Sequence, residues 1–185
     1  HRNIFIRLLH NMGYKIMKDT KEELTLEQAL KSKEKIICYK DKGGKRVMYI
    51  LEIAEGNVDL TKDPDDPDII VHRGHSYQVD QTFYEVEELD RPVLIYLGSC
   101  GGFHVVPKLK EKLGENAFFI STKNMGIGVV NNDIIANLAE VIAFEGKTEW
   151  GEIKESVYSK LGPGKEEFYN YSFPGDLPQI MLECL

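Results

Sequence analysis

The residue in this sequence with the most evident chemistry is Cys100, which stands in a glycine-rich turn after a hydrophobic run. Residues 93–97 read Val-Leu-Ile-Tyr-Leu without alternation, which predicts a strand buried on both faces of a parallel sheet. The run stops at 98–102, Gly-Ser-Cys-Gly-Gly, whose glycines let backbone amides approach a ligand. Because ligands bind at the carboxyl ends of strands in open α/β sheets, we expect a reactive thiol at that edge.

A nearby histidine would make Cys100 a useful nucleophile, because it lowers the thiol pKa and returns a proton to the leaving group. The chain contains five histidines, which are His1, His10, His72, His75 and His104. The first two belong to the N-terminal helix. The last follows the cysteine closely, and we expect it to face outward or to cap the next helix. The two in the middle of the chain remain as partners for the thiol.

His72 and His75 follow a second hydrophobic strand, Ile-Ile-Val at 69–71. Roughly fifteen residues lie between Ser76 and Arg91, which is the minimum length for a crossover between parallel strands. We therefore expect neighbouring parallel strands whose carboxyl ends carry the histidines and the thiol along one edge. The alternation of the strand points His72 into helix packing, whereas His75 lies beyond Gly74, where the chain can turn towards the thiol.

Other chemistries fit parts of this pattern. The turn fits the Gly-x-Cys-x-Gly turn of glutamine amidotransferase-like domains, but their histidine comes well after the cysteine, and none follows His104 here. A tyrosine-phosphatase loop needs arginine where Val106 stands. A zinc-binding domain is a further alternative, with the loosely spaced ligands His72, His75, Cys100 and His104. The least specific interpretation makes Cys100 a small apolar residue of a turn.

Two segments carry a family resemblance: IIVHRGHSY at 69–77 and VLIYLGSCGG at 93–102. With the histidine first and the cysteine second, they resemble the caspase-like cysteine peptidases, such as metacaspases and separases, and the β/α order of the chain is loosely similar too. The resemblance implies a cysteine endopeptidase with Cys100 as nucleophile and His75 as base, no metal or cofactor, and a protein or peptide substrate. His72 is the alternative base. The alternative function is a catalytically inactive caspase-like domain that binds a peptide by adding a strand to its sheet.

The resemblance also implies an oxyanion hole made of backbone amides. In the family, a glycine directly after the histidine donates its amide together with that of the cysteine. Ser76 stands at that position here, so the expected donors are the amides of Cys100 and Ser76, or that of Gly74 in a shifted arrangement. The residues that bind substrate are unknown, and the candidates for a pocket are Asp80, Lys123, Asn124 and Asp133.

The alternation of strands and helices predicts an α/β fold, and the resemblance implies a three-layer α/β/α domain with a mostly parallel sheet of five or six strands. We expect this domain over 1–161 and an irregular tail packed on it over 162–185. A hairpin of 35–39 with 46–53 should lie at one side of the sheet. The remaining segments are predicted as helices over 2–12, 25–30, 103–113, 134–142 and 150–161, one or two helical turns within 82–89, strands over 14–17 and 117–121, and loops over 61–68 and 122–132.

The composition excludes several classes of protein. Hydrophobic residues make up 42% and aromatic residues 10% of the 185 residues, as in folded domains, and no window approaches the ~18 apolar residues of a membrane span. The net charge of -7 repels a phosphate backbone and argues against a nucleic-acid partner. The sparse, odd set of cysteines favours a reducing, cytoplasmic compartment. Because the chain opens at His1 with a helix, we expect a fragment of a longer protein, with either a different strand order or a first strand that lies upstream.

Overall fold

The computed structural model describes residues 2–51, 67–83, 86 and 88–176. The fold is mixed α/β, and the chain divides into two compact units. The first unit comprises His1–Glu55 and Asn132–Leu161, and the second comprises Gly56–Asn131 and Gly162–Leu185. The acidic loop predicted at 61–68 lies outside the described residues as far as position 66.

The elements alternate between strands and helices for much of the chain. In order they are α1 (Arg2–Asn11), β1 (Lys15–Lys18), α2 (Leu26–Lys31), β2 (Ile36–Lys42), β3 (Lys45–Leu51), β4 (Ile69–His72), α3 (Val79–Thr82), β5 (Val93–Leu97), α4 (Val106–Leu113), β6 (Ala117–Thr122), α5 (Gly128–Phe144), α6 (Trp150–Lys160) and β7 (Tyr171–Ser172). Short 3-10 helices occur at Ser76–Gln78, Gly102–Val105 and Lys165–Asn170. Among the helices of the described residues, none is long and apolar enough to cross a bilayer.

The first unit contains an antiparallel sheet in the order β1-β2-β3. The predicted hairpin is confirmed as β2 and β3, because Gly43 and Gly44, with φ of 59° and 76°, form the two-residue turn between them. Its predicted place beside the parallel sheet is wrong, since β2 pairs with β1 in a separate sheet. The helix predicted at 2–12 is confirmed and is followed by Gly13 in the left-handed region. A capping box of Thr25 and Gln28 begins α2.

Polar contacts tie distant parts of the first unit together. The Lys40 Nζ atom on β2 donates to Glu140 of α5 at 2.7 Å and to the Met12 carbonyl at 2.8 Å. The Tyr49 hydroxyl on β3 lies 3.0 Å from the carbonyl oxygen of Ile135 in the same helix. These bonds satisfy half-buried polar groups that would otherwise cost about 1–3 kcal/mol each. They help to explain why Asn132–Leu161 belongs with the N-terminal part of the chain.

The second unit contains a mixed sheet in the order β4-β5-β6-β7, with β4, β5 and β6 parallel and β7 antiparallel. All five residues of β5 are buried, as the sequence predicts. Alternate residues face opposite sides of the sheet, so Ile95 packs with α3 and α4 while Tyr96 contacts the start of α5. The core on the side of α3 and α4 consists of Ile70, Val79, Phe83, Val86, Val93, Ile95, Leu97, Val106, Leu109, Leu113, Ala117 and Phe119.

The structure differs from the sequence prediction at three segments of the second unit. The loop expected over 122–132 is shorter, because α5 already begins at Gly128. In the crossover from β4 to β5, the helical segment begins at Ser76 and ends with α3 at Thr82. The sequence predicts these helical turns within 82–89, so they begin earlier than expected. Residues 84, 85 and 87 lie outside the described part. The expected irregular tail contains a 3-10 helix and β7, and its last residues, 177–185, are outside the described residues too.

Candidate functional site

The carboxyl ends of β4 and β5 lie side by side, as the sequence predicts. The strands are parallel, and His72 is the register partner of Leu97. The Gly98 N–H donates to the His72 carbonyl at 3.1 Å and continues the ladder one residue further. Neighbouring strands lie about 4.8 Å apart, so the segments that follow these residues share one edge of the sheet. His75 and Cys100 each stand three residues beyond the pair of His72 and Leu97.

The Cys100 thiol is free and exposed at the tip of the turn, although Ser99 before it and Gly102 after it are buried. Gly101 has a φ of 63°, a left-handed conformation that favours glycine. Its N–H donates to the Asn124 carbonyl at 2.6 Å. The backbone beside the thiol is therefore fixed, while the thiol itself faces solvent.

The hydroxyl group of Thr122, at the end of β6, makes hydrogen bonds to the backbone of this turn. Thr122 is fully buried, and its Oγ1 atom accepts from the Gly102 N–H at 3.2 Å. The same hydroxyl donates to the Ser99 carbonyl. One side chain thus bonds to backbone groups on both sides of the nucleophile.

Asn131 on α5 holds the base of the turn. Its Nδ2 atom donates to the Gly98 carbonyl at 3.1 Å, and its Oδ1 atom accepts from the buried Tyr96 hydroxyl at 2.7 Å. The approach is close enough that a Cβ atom on Gly98 would meet the Asn131 amide, and one on Gly126 would meet the Gly98 carbonyl. A larger residue would therefore displace the Asn131 side chain at Gly98 and the backbone at Gly126.

His75 lies on the surface immediately after β4. Its backbone N–H donates to the Gln78 Oε1 atom at 3.2 Å, which anchors the residue at the start of the 3-10 helix Ser76–Gln78. Its imidazole is stacked on the Tyr77 ring, with centroids 5.1 Å apart and planes 9° from parallel. Tyr77 is itself 74% exposed, so the two rings stack at the surface.

His72 is buried, and both of its ring nitrogens are engaged. The Nε2 atom lies 3.2 Å from the His75 carbonyl, which can only accept, so Nε2 carries the proton. The Nδ1 atom lies 2.9 Å from the Thr82 hydroxyl, which also has the Gln78 carbonyl as an acceptor at 3.3 Å. Burial lowers the pKa of His72 and favours this neutral form. The ring packs against α3, on the face of the sheet that strand alternation predicts.

The backbone amides at this edge include the expected oxyanion donors. Ser76 is the first residue of a 3-10 helix, so its N–H has no partner within that helix. Within the described ranges, the amides of Gly101 and Gly102 have acceptors, whereas none is found for that of Cys100. Gly74 is the other candidate donor, and a Cβ atom at this position would meet the Gln78 side chain and the His72 ring.

The geometry does not assemble the zinc ligands. No group of three or more histidine, cysteine, aspartate or glutamate side chains that could hold a metal occurs in the part of the chain that the structure describes. His72 uses both ring nitrogens within the protein, and the exposed His104 packs its Cδ2 atom against Gly101. Of the pocket candidates, Asp80 is engaged by Lys108 at 2.6 Å.

Sequence reasoning missed the residues that brace the turn. The sequence predicts a loop at Thr122 and Asn131, although Thr122 is the last residue of a buried strand whose carboxyl end lies at the same edge as Cys100. A polar residue at that position is the signal that could have identified it. Asn131 offers no comparable signal, because only the packing of α5 reveals its bonds.

The chain matches no protein-family model, and the searches of curated proteins and of solved structures return no match. The case for a function therefore depends on the site geometry and on the motifs.

Proposed function

We propose that this protein is a cysteine endopeptidase of the caspase-like type, with Cys100 as nucleophile and His75 as general base and acid. The observation that carries the proposal is the parallel pairing of β4 with β5 in a register that aligns His72 with Leu97. It brings a histidine loop and a cysteine turn to the same sheet edge. An exposed thiol and an exposed imidazole are the groups that a thiol peptidase needs there.

The reaction would use only groups of this chain and water. His75 takes the Cys100 proton, and the thiolate attacks the carbonyl carbon of the scissile bond, forming a C–S bond while the carbonyl electrons move to oxygen. The amides of Cys100 and Ser76 donate to that oxyanion. As it collapses, the C–N bond breaks and His75 protonates the leaving amine. Water, deprotonated by His75, then hydrolyses the thioester, which releases the acid and restores the thiol.

The choice of His75 over His72 follows from the hydrogen bonds. A general base must have a nitrogen lone pair available to the thiol proton. The Nδ1 atom of His72 is 2.9 Å from the Thr82 hydroxyl, and its Nε2–H is used by the His75 carbonyl. Recruiting His72 would require breaking a buried network, whereas His75 lies at the surface.

We also propose the three-layer arrangement of the caspase-like fold for the parent domain. Its support is the burial of β5 on both faces, with α3 and α4 against Ile95 and the first turn of α5 against Tyr96. A sheet covered on both sides is the usual setting for parallel strands.

The test is hydrolysis of a fluorogenic peptide library that varies the residue before the scissile bond. We expect turnover by the unsubstituted protein and loss of at least about a thousandfold in Cys100→Ala. Cys38→Ala is the matched control, because Cys38 is buried in β2, and it should retain activity. Peptide binding without cleavage would favour the inactive peptide-binding alternative instead.

A further inference from the structure

We propose that Thr122 is a positioning residue that aims the amide of Cys100 at the oxyanion. This inference rests on the proposed peptidase function and extends it to a residue outside the cysteine and histidine segments. The buried hydroxyl of Thr122 is bonded to the backbone on both sides of the nucleophile.

The placement of Thr122 follows from the register of the sheet. β5 and β6 are parallel, and Ser121 is the register partner of Leu97, the last residue of β5. Thr122 is the next residue, so it lies beneath the turn that continues from β5. Its hydroxyl accepts from the Gly102 N–H and donates to the Ser99 carbonyl at the same time. Both functions of a hydroxyl group are therefore used.

The bond to Ser99 determines where the Cys100 amide points. The Ser99 carbonyl and the Cys100 N–H belong to one planar trans peptide group, in which they point in opposite directions. Holding the carbonyl down onto Thr122 therefore turns the N–H up and away from the sheet. In the proposed mechanism, this N–H is one of the two donors to the developing oxyanion.

Two other residues around the turn bind other peptide groups. Asn124 binds the Gly101 amide, and Asn131 binds the Gly98 carbonyl. The Gly102 N–H also lies 3.2 Å from the Ser99 carbonyl, which closes the turn. Among the described residues, Thr122 supplies the side-chain donor to the Ser99 carbonyl.

The test compares two reactions of Cys100, followed by mass spectrometry, in the unsubstituted protein, Thr122→Val, Thr122→Ser and Ser121→Ala. p-Nitrophenyl acetate acylates the thiolate through an oxyanion: a C–S bond forms, the C–O bond breaks, and nitrophenolate leaves with the electron pair. Iodoacetamide alkylates the same thiolate at a saturated carbon, displaces iodide and forms no oxyanion. Ser121→Ala is the matched control, because it removes a buried hydroxyl from the same strand.

We expect Thr122→Val to slow acylation about 10- to 100-fold while alkylation changes less than about twofold, because one oxyanion donor is misdirected but the thiolate is not affected. Thr122→Ser should restore acylation, and Ser121→Ala should leave it near the parent rate. Equal slowing of both reactions, or of neither, would overturn the proposal. If Thr122→Val does not fold, NMR of the unsubstituted protein can measure how fast the Thr122 hydroxyl proton exchanges with water. Slow exchange supports the bond to the Ser99 carbonyl, and exchange as fast as that of a solvent-exposed hydroxyl refutes it.

Failure of the proposed function gives a different result. In that case, the unsubstituted protein would acylate at Cys100 no faster than its urea-unfolded chain. Rapid acylation at the same rate in the unsubstituted protein and in Thr122→Val would instead support the peptidase proposal and refute the role of Thr122.

Discussion

His72 and His75 are three residues apart in the sequence, but their surroundings suit them to different roles. His72 is buried with both ring nitrogens already bonded, and burial lowers its pKa. His75 is exposed, and its ring stacks on that of Tyr77 at the surface. A satisfied, buried imidazole stabilises a fold, whereas an exposed one is available for proton transfer.

Single substitutions of the two histidines by alanine should separate these roles. We expect His75→Ala to slow the alkylation of Cys100 at pH 7 about tenfold or more, because the group that favours the thiolate is lost. His72→Ala should lower the free energy of unfolding by about 1–3 kcal/mol, since it removes a buried side chain together with its hydrogen bonds to Thr82 and to the His75 carbonyl. Alkylation rates against pH and urea unfolding measure the two effects. If alkylation were abolished in a stably folded His72→Ala protein and unchanged in His75→Ala, His72 would be the base and His75 would not.

The turn after β5 depends on the elements that enclose it. Gly126, in the loop before α5, packs against the Gly98 carbonyl, and Asn131 reaches the same carbonyl from the helix. The loop therefore approaches the turn at Gly98 as well as at Gly101, where Asn124 accepts the amide proton. This close packing explains why the turn is so rich in glycine.

Alanine at Gly126 tests this close packing. We expect Gly126→Ala to lower the free energy of unfolding by about 1–3 kcal/mol, because the added methyl group would overlap the Gly98 carbonyl. Gly151→Ala is the matched control: Gly151 lies in α6 with nothing within 4 Å of an added Cβ, so the change should raise stability by about 0.5–1 kcal/mol. Urea unfolding measures both. A Gly126→Ala protein as stable as the parent would contradict the contact.

The strands and most helices of this chain are predictable because local signals mark them. Continuous apolar runs identify β4 and β5, and Thr25 with Gln28 identifies the start of α2. The start of α5 is not predictable, since Gly128 has poor helix propensity and the bonds of Asn131 are tertiary. β7 is only two residues long, too short for a periodic pattern.

The arrangement of the whole chain is harder to read than its elements. The sequence order of strands suggests one sheet, but the pairing of β2 with β1 in a sheet of its own depends on contacts that no local pattern encodes. The grouping of Asn132–Leu161 with the N-terminal segment likewise depends on bonds such as that between Lys40 and Glu140. Of the candidate site, the thiol and the two histidines are visible in sequence, and the bracing by Thr122 is not.

The stability of the folded protein should depend on pH through His72. Its folded pKa is below the unfolded value of about 6.5, so the unfolded chain binds more protons as pH falls. The stabilisation by neutral His72 is therefore fully present above pH ~6.5 and declines below it, by at most about 1.4 kcal/mol per pH unit, until the folded residue is protonated too. Urea unfolding between pH 7.5 and 5 should show this decline.

His72→Gln should flatten that part of the profile, because glutamine does not titrate. His10→Gln is the matched control, since it removes an exposed imidazole from α1. A profile that is equally steep in His72→Gln and in the parent would refute the role of the buried imidazole.

The most direct measurement is mass mapping of the protein after reaction with peptide acyloxymethyl ketones that differ in the residue next to the reactive carbon. We expect covalent modification at Cys100 and none at Cys38, whose thiol has a pKa raised to about 12 by burial. Cys100→Ser should abolish the modification, and His75→Ala should slow it. Modification at Cys38 or Cys184 with Cys100 untouched would contradict the assignment of Cys100 as the nucleophile.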